Sequence, residues 1–143
     1  MKIELYLDFP PSVNNYYVKT RNGVFISKAG RAYRSGSLER IADVLGNLSI
    51  QDNRLFPLSK PVSVTVVYYP TDKRKRDLDN YKKALYDVIT HSGIWEDDSL
   101  IDQEFIYRGC ISKGAGFCWV LIDSDALAEV GNSERWRDCI REL

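Results

Sequence analysis

Apolar and polar residues alternate from the start of the chain. Ile3, Leu5, Leu7 and Phe9 are separated by Glu4, Tyr6 and Asp8, the period-two pattern of a half-buried strand, and Pro10-Pro11 ends it. Ser12 to Tyr17 reads as a polar and aromatic loop, and Gly23 as a turn before Val24-Phe25-Ile26. Ser27 is placed to cap a helix with Leu38, Ile41, Ala42 and Leu45 at helical spacing. A break is expected near Gly36 and an end at Gly46-Asn47. Residues 47–61 look like a connection.

The clearest strand follows, with Val62, Val64, Val66 and Tyr68 alternating with Ser63, Thr65, Val67 and Tyr69 before Pro70-Thr71-Asp72 closes it. Helical spacing then returns at Leu78, Tyr81, Ala84, Leu85, Val88 and Ile89. This predicts a helix from Asp77 to a stop at Gly93, with Asp79, Lys83, Tyr86 and Thr90 along one exposed edge. Two more strands are expected at about Leu100–Cys110 and Phe117–Asp123, around a Lys113–Gly116 turn, and a short tail helix from Glu134 to Arg141. The pattern gives an α+β class. Its sheet, mostly antiparallel or mixed and of about four strands, packs with two main helices, and a short C-terminal helix follows. Residues 1–123 form one domain, and 124–143 an extension of unassigned role.

Composition changes this picture little. The chain has 143 residues, 20 Lys plus Arg, 20 Asp plus Glu and a formal net charge of zero, so overall charge argues neither for nor against a polyanionic partner. Distribution says more. Lys19, Arg21, Lys28, Arg31, Arg34 and Arg40 face only Glu39 between residues 19 and 40, and residues 73–76 are all basic. Screening limits electrostatic range to roughly ten ångströms at physiological salt, so a neutral chain with local basic patches can still hold phosphates. Cys110, Cys118 and Cys139 lack zinc-ligand spacing and read as reduced thiols. No signal-peptide core and no membrane-length apolar run is seen, so a cytoplasmic protein is expected.

The chemistry concentrates in Lys73-Arg74-Lys75-Arg76-Asp77-Leu78-Asp79-Asn80, which sets four cations against two carboxylates, with Lys83 four residues after Asp79. One Asp at a helix start is ordinary capping. Cations at that end are not, because the helix dipole disfavours them. Asp97-Asp98 follows a Gly-Ile-Trp turn and opens the next strand, so the carboxylates are expected to converge at one end of the sheet. Two or three of them with a phosphate oxygen suffice for Mg²⁺, which keeps several waters. Lys83 has two readings: an i,i+4 salt bridge with Asp79, or a point charge at the reacting phosphate. Lys82 points nearer the apolar face and is the weaker candidate. Asn14, Asn15 and Tyr17 are either part of a rigid turn or contacts to phosphates and unstacked bases.

These motifs, with Pro10-Pro11-Ser12 and Gly93-Ile94-Trp95-Glu96-Asp97-Asp98, resemble the RusA family of Holliday-junction resolvases from about residue 3 to 122. The resemblance implies a homodimeric, Mg²⁺-dependent endonuclease, with Mn²⁺ as a substitute, that makes paired nicks in four-way DNA junctions during recombination and repair. Carried over, Asp77, Asp79 and Asp98 are the metal-holding catalytic residues with Lys83 beside them. Lys73, Arg74, Lys75 and Arg76 would be DNA contacts. A bacterial, phage or prophage source is implied. Two other readings stay open: a non-catalytic junction-binding or regulatory protein, and a nuclease acting on flaps or RNA.

Overall fold

The computed structural model describes residues 1–125, so the tail helix expected from Glu134 to Arg141 lies outside them. Strands β1 (Lys2–Asp8), β4 (Val62–Tyr69), β5 (Ile101–Arg108) and β6 (Phe117–Asp123) form one sheet in the order β1-β6-β4-β5. β6 pairs antiparallel with both β1 and β4, whereas β4 and β5 run parallel. The parallel pair follows from connectivity, because helix α4 (Lys82–Ser92) crosses over between the two strands. Helix α2 (Lys28–Gly46) packs against α4 and β1. It starts where Ser27 Oγ accepts from the Gly30 N–H at 2.9 Å, and it runs unbroken through Gly36.

Three features depart from the sequence expectation. Ser12–Tyr17 contains one helical turn, α1 (Val13–Tyr16), whose Tyr16 is fully buried. Val24-Phe25-Ile26 is not a lone segment: β2 (Tyr17–Thr20) and β3 (Gly23–Ile26) make an antiparallel hairpin. A further turn of helix, α3 (Ile50–Asn53), interrupts the connection before β4.

Pairing stacks the side chains into cross-sheet rows. On the inner face, Ile3, Ile122, Val64 and Glu104 form one row, and Leu7, Cys118, Tyr68 and Arg108 another. Between them runs the apolar row Leu5, Val120, Val66 and Ile106. The core lies between these rows and the buried face of α4, where Ala84, Leu85, Val88 and Ile89 are wholly inaccessible. Two inner rows therefore end in a charge at the edge strand, one of each sign. The outer face carries no helix among the described residues. There Tyr6, Trp119, Val67 and Tyr107 cross all four strands, and Tyr69 stacks on Phe117 at 4.4 Å.

Candidate nuclease site

The helix expected from Asp77 begins later, at Lys82. Asp77 instead caps a 3-10 turn, Leu78–Asn80, its Oδ1 accepting from the Asp79 N–H at 3.2 Å. This turn divides the surface. Leu78 faces a cavity lined by Phe9, Tyr81 and Ile111, whereas Asp79 faces a separate cleft with Lys83 and Asp98. The cleft is also lined by Lys82, Tyr86, Asp102 and Glu104.

Asp98 reaches the cleft because the residues before it are pinned. Gly93 takes φ 84°, the left-handed conformation that glycine adopts at a helix C-terminus, and ends α4. Ile94 and Trp95 then bury completely, or to 1% exposure, and Trp95 Nε1 donates to Thr90 Oγ1 at 2.6 Å. Backbone bonds from Leu58 to Ile94 and from Glu96 to Leu58 tie the segment to the neighbouring loop. The two following aspartates then diverge. Asp97 turns inward on its own loop, accepting from the Ser99 N–H at 3.2 Å, and hydrogen bonding by the Ser99 side chain first and its N–H next holds its carboxyl below the usual range. Asp98 is left to the cleft.

The expectation that the carboxylates meet at one end of the sheet holds for Asp79 and Asp98, which share the cleft beside the start of β5, and not for Asp77. β4 and β5 are parallel, so the loop leaving β4 and the turn entering β5 lie at opposite ends of that pair. Asp79 and Asp98 still share a cleft because the chain folds back toward β5 through the 3-10 turn before α4 begins.

The two lysines also differ from expectation. Lys83 does not bridge to Asp79. Its Nζ donates to Asp87 Oδ1 at 3.1 Å, and Asp87 Oδ2 accepts from the Tyr17 hydroxyl at 3.0 Å. The Asp87 bond raises the Lys83 pKa against a smaller opposing effect of burial, and Asp98 adds to the rise from across the cleft. Lys82, the weaker candidate by spacing, stands inside the cleft: its Nζ donates to Glu104 Oε1 at 3.1 Å and lies 3.8 Å from Asp79 Oδ1. Tyr86 is buried, not on an exposed edge, and its hydroxyl donates to Glu104 Oε2 at 2.8 Å.

Asp87, Asp102 and Glu104 were not singled out by sequence. The available signal was weak: Glu104 and Arg108 are charges at inward positions of a strand, a pattern that marks a sheet edge. Asp77 is exposed and does not line the cleft. Among the described residues, no three carboxylate, imidazole or thiolate groups are gathered closely enough to hold an ion between them. The chemistry of the donors nevertheless suits a hard divalent cation. The acidic groups lining the cleft are all carboxylates, without thiol or imidazole, and one positive charge, the Lys82 ammonium, already sits between two of them.

Beside the cleft lies the cationic loop. Lys73, Arg74 and Lys75 are exposed, whereas Arg76 is fixed. Its Nη1 donates to Asp72 Oδ1 at 2.7 Å, and its guanidinium lies 5.8 Å from the centre of the Phe9 ring. Arg108 Nη2 donates to the Arg76 carbonyl at 2.6 Å. Asn14 and Asn15 are exposed on α1, while the Tyr17 phenol is committed to Asp87. No helix among the described residues is long and apolar enough to cross a membrane.

A profile of the family described as endodeoxyribonuclease RusA matches residues 8–115. A crossover junction endodeoxyribonuclease RusA of Escherichia coli K12 is 32% identical over 108 residues, covering 76% of this chain and 83% of the relative. The proteins of that name in Shigella sonnei and in Enterobacteria phage 82 match with the same identity and coverage.

Proposed function

The chain belongs to the endodeoxyribonuclease RusA family, and on that premise we propose that it is a Mg²⁺-dependent endonuclease that resolves four-way DNA junctions by paired nicking. The observation that carries this reading is the cleft in which Asp79, Asp98 and Lys83 meet beside a loop of four cations. Bacterial and phage relatives support a bacterial or phage setting for the activity.

In this reading Asp79 and Asp98 would hold Mg²⁺ or Mn²⁺ from the cleft, and Asp77, exposed outside it on the same turn, would be the third ligand that the family resemblance implies. When bound, the ion neutralises charge developing on the scissile phosphoryl group. Lys83 presents an ammonium to the same phosphate, and Asp87 fixes its direction. Lys73, Arg74 and Lys75 grip the backbone on either side, and Arg76 keeps their loop in place through Asp72. Asn14 and Asn15 contact the sugar-phosphate chain from α1.

The reading includes a two-fold dimer, because a junction presents symmetry-related strands that are cut as a pair. The outer sheet face supports it. Tyr6, Phe105 and Tyr107 are 58%, 45% and 54% exposed there, with the stacked Tyr69 and Phe117 beside them. Contiguous exposed aromatics of this kind mark association surfaces.

A labelled four-way junction, a matched linear duplex and a flap, each incubated with Mg²⁺ and with EDTA, test the proposal. Paired, metal-dependent nicks in the junction are expected. Undiminished cutting in EDTA, or equal cutting of the linear duplex, would overturn it.

A further inference from the structure

The cavity on the other side of the 3-10 turn is unused by the chemistry above. It has a volume of about 250 Å³ and is walled by Phe9, Tyr81, Leu78 and Ile111. Phe9 and Tyr81 meet edge to face at 4.9 Å, and Ile111 is 38% exposed at the mouth. Its rim is cationic: Lys73, Arg74, Arg76 and Arg108 stand against Asp72 alone. An apolar aromatic interior under a cationic rim suits a ligand that is flat and apolar in one part and anionic in the next. A nucleotide whose base has left the stack is such a ligand, with its base on aromatic or guanidinium planes and its phosphates on the rim.

Position strengthens the match. Leu78 lines the cavity and Asp79 the acidic cleft, so adjacent residues of one turn serve both. On β5, Arg108 belongs to the cavity and Glu104 to the cleft, four residues or roughly 13 Å apart along the strand. A DNA strand lying across the 3-10 turn would meet both. The cavity is also built before any ligand arrives, because Asp72 fixes Arg76 and the Arg76 carbonyl holds Arg108.

We propose that this cavity receives one unstacked nucleobase of the DNA strand whose phosphate lies in the acidic cleft. The proposal rests on the nuclease reading but acts at the binding step. At a branch point stacking is already interrupted, so extracting a base costs less there than within a continuous duplex. The cavity thereby favours branched over linear DNA.

The test is a thermodynamic cycle read as binding in Ca²⁺ or EDTA. Single bases around the crossover of a four-way junction are replaced one at a time by abasic residues. Affinities are measured for the wild type and for Ile111→Trp, which fills the cavity from its exposed mouth. At one position in each bound strand, base removal should weaken wild-type binding about tenfold more than it weakens Ile111→Trp. Ile111→Ala, which empties the mouth instead of filling it, should bind more weakly than wild type yet keep the position-specific loss that Ile111→Trp abolishes. Tyr81→Leu, which removes a ring and keeps an apolar side chain, runs the same cycle as a second variant should Ile111→Trp fail to fold. Equal losses in wild type and filled variant at every position overturn the proposal, including the case in which a second protomer or the chain's own tail occupies the cavity. A wild type that binds junctions but never cuts them in Mg²⁺ overturns the nuclease reading instead, and the cycle stays readable.

Discussion

Lys83 and Asp87 are joined across one helical turn at 3.1 Å, with the free end of that carboxylate taken by the Tyr17 hydroxyl. An ammonium on a four-carbon stem otherwise samples many rotamers. Here its direction is set by an acceptor that is itself held from the next element.

Asp87→Asn should therefore lower junction cleavage by roughly tenfold, about 1.4 kcal/mol in the barrier, with binding nearly unchanged. The pH profile should separate this from a general loss of structure. The Asp87 bond raises the Lys83 pKa above its usual 10.5, so the stability of the pair is complete below that value and is lost as pH rises through the higher folded pKa. The wild type should keep a charged Lys83 past pH 10.5, and the variant should lose it earlier. An unchanged rate in Asp87→Asn would show that Lys83 needs no fixed direction.

Asp79→Asn and Asp98→Asn keep side-chain size and remove a charge from the cleft. Each should reduce cleavage by on the order of a hundredfold or more, while junction binding in EDTA persists or tightens. Asp97→Asn should be clearly milder, because Asp97 spends its carboxylate on the Ser99 N–H. Asp77→Asn keeps a residue able to cap the 3-10 turn, so lost cleavage in a folded variant would point to the metal. Circular dichroism checks the fold of each, and near wild-type cutting by Asp79→Asn or Asp98→Asn would refute the assignment.

Lys82 occupies space between Glu104 and Asp79 that a divalent ion would compete for. Lys82→Met keeps the stem and deletes the charge, so it should tighten Mn²⁺ binding by on the order of tenfold, equivalent to about 1.4 kcal/mol. Electron paramagnetic resonance of free and bound Mn²⁺ reads this without any cleavage. Weaker Mn²⁺ binding in Lys82→Met would mean that the ammonium organises the carboxylates instead of competing for them.

The cationic loop divides into exposed members, Lys73, Arg74 (paired with Asp72 at 3.5 Å) and Lys75, and the fixed Arg76. Arg74→Ala and Lys75→Ala should each lower the slope of log affinity against log salt by roughly one. Arg76→Ala should also loosen the loop, because Arg76 anchors Asp72. The Arg76 hydrogen bond, followed by that from the Arg74 N–H, brings the Asp72 pKa from 3.8 to about 2. A depressed carboxyl contributes its stabilisation above the unfolded value and loses it as pH falls through the folded one. Loop order should therefore fail between about pH 4 and pH 2, later in the acid than in Arg76→Ala. Hydrogen exchange at residues 72–76 measures it.

The long apolar periods were legible directly. β1, β4, β6 and the start of α2 at Ser27 stand where alternation and capping predicted them. The hairpin from Tyr17 to Ile26 was not, since its residues are mostly exposed and leave no burial pattern to read. The start of α4 differs because an aspartate before an apolar residue signals the cap of a 3-10 turn as readily as that of an α-helix. Asp77 caps the 3-10 turn with Leu78 partly buried, and α4 begins after Tyr81 without a side-chain cap. In the cleft, Asp79, Lys83 and Asp98 were found through the motif. Lys82, Asp87 and Glu104 required the tertiary arrangement. Spacing along a helix ranks residues by face, and it does not reveal that a neighbouring edge strand brings a carboxylate to the margin of that face.

Glu104 and Arg108 close two inner rows of the same sheet with opposite sign, in a chain whose total charge is zero. Such a molecule has little monopole for a distant polyanion to pull on. Lys82 offsets Glu104 at 3.1 Å while Arg108 keeps its charge at the other end of the edge, so under the proposed function the field of a nearby DNA strand would act on this local asymmetry as a torque, turning the arginine side inward. Because a dipole couples to a field over shorter range than a net charge does, recognition by this edge, under the proposed function, would be an aligning event at contact distance. Long-range capture has to come from elsewhere.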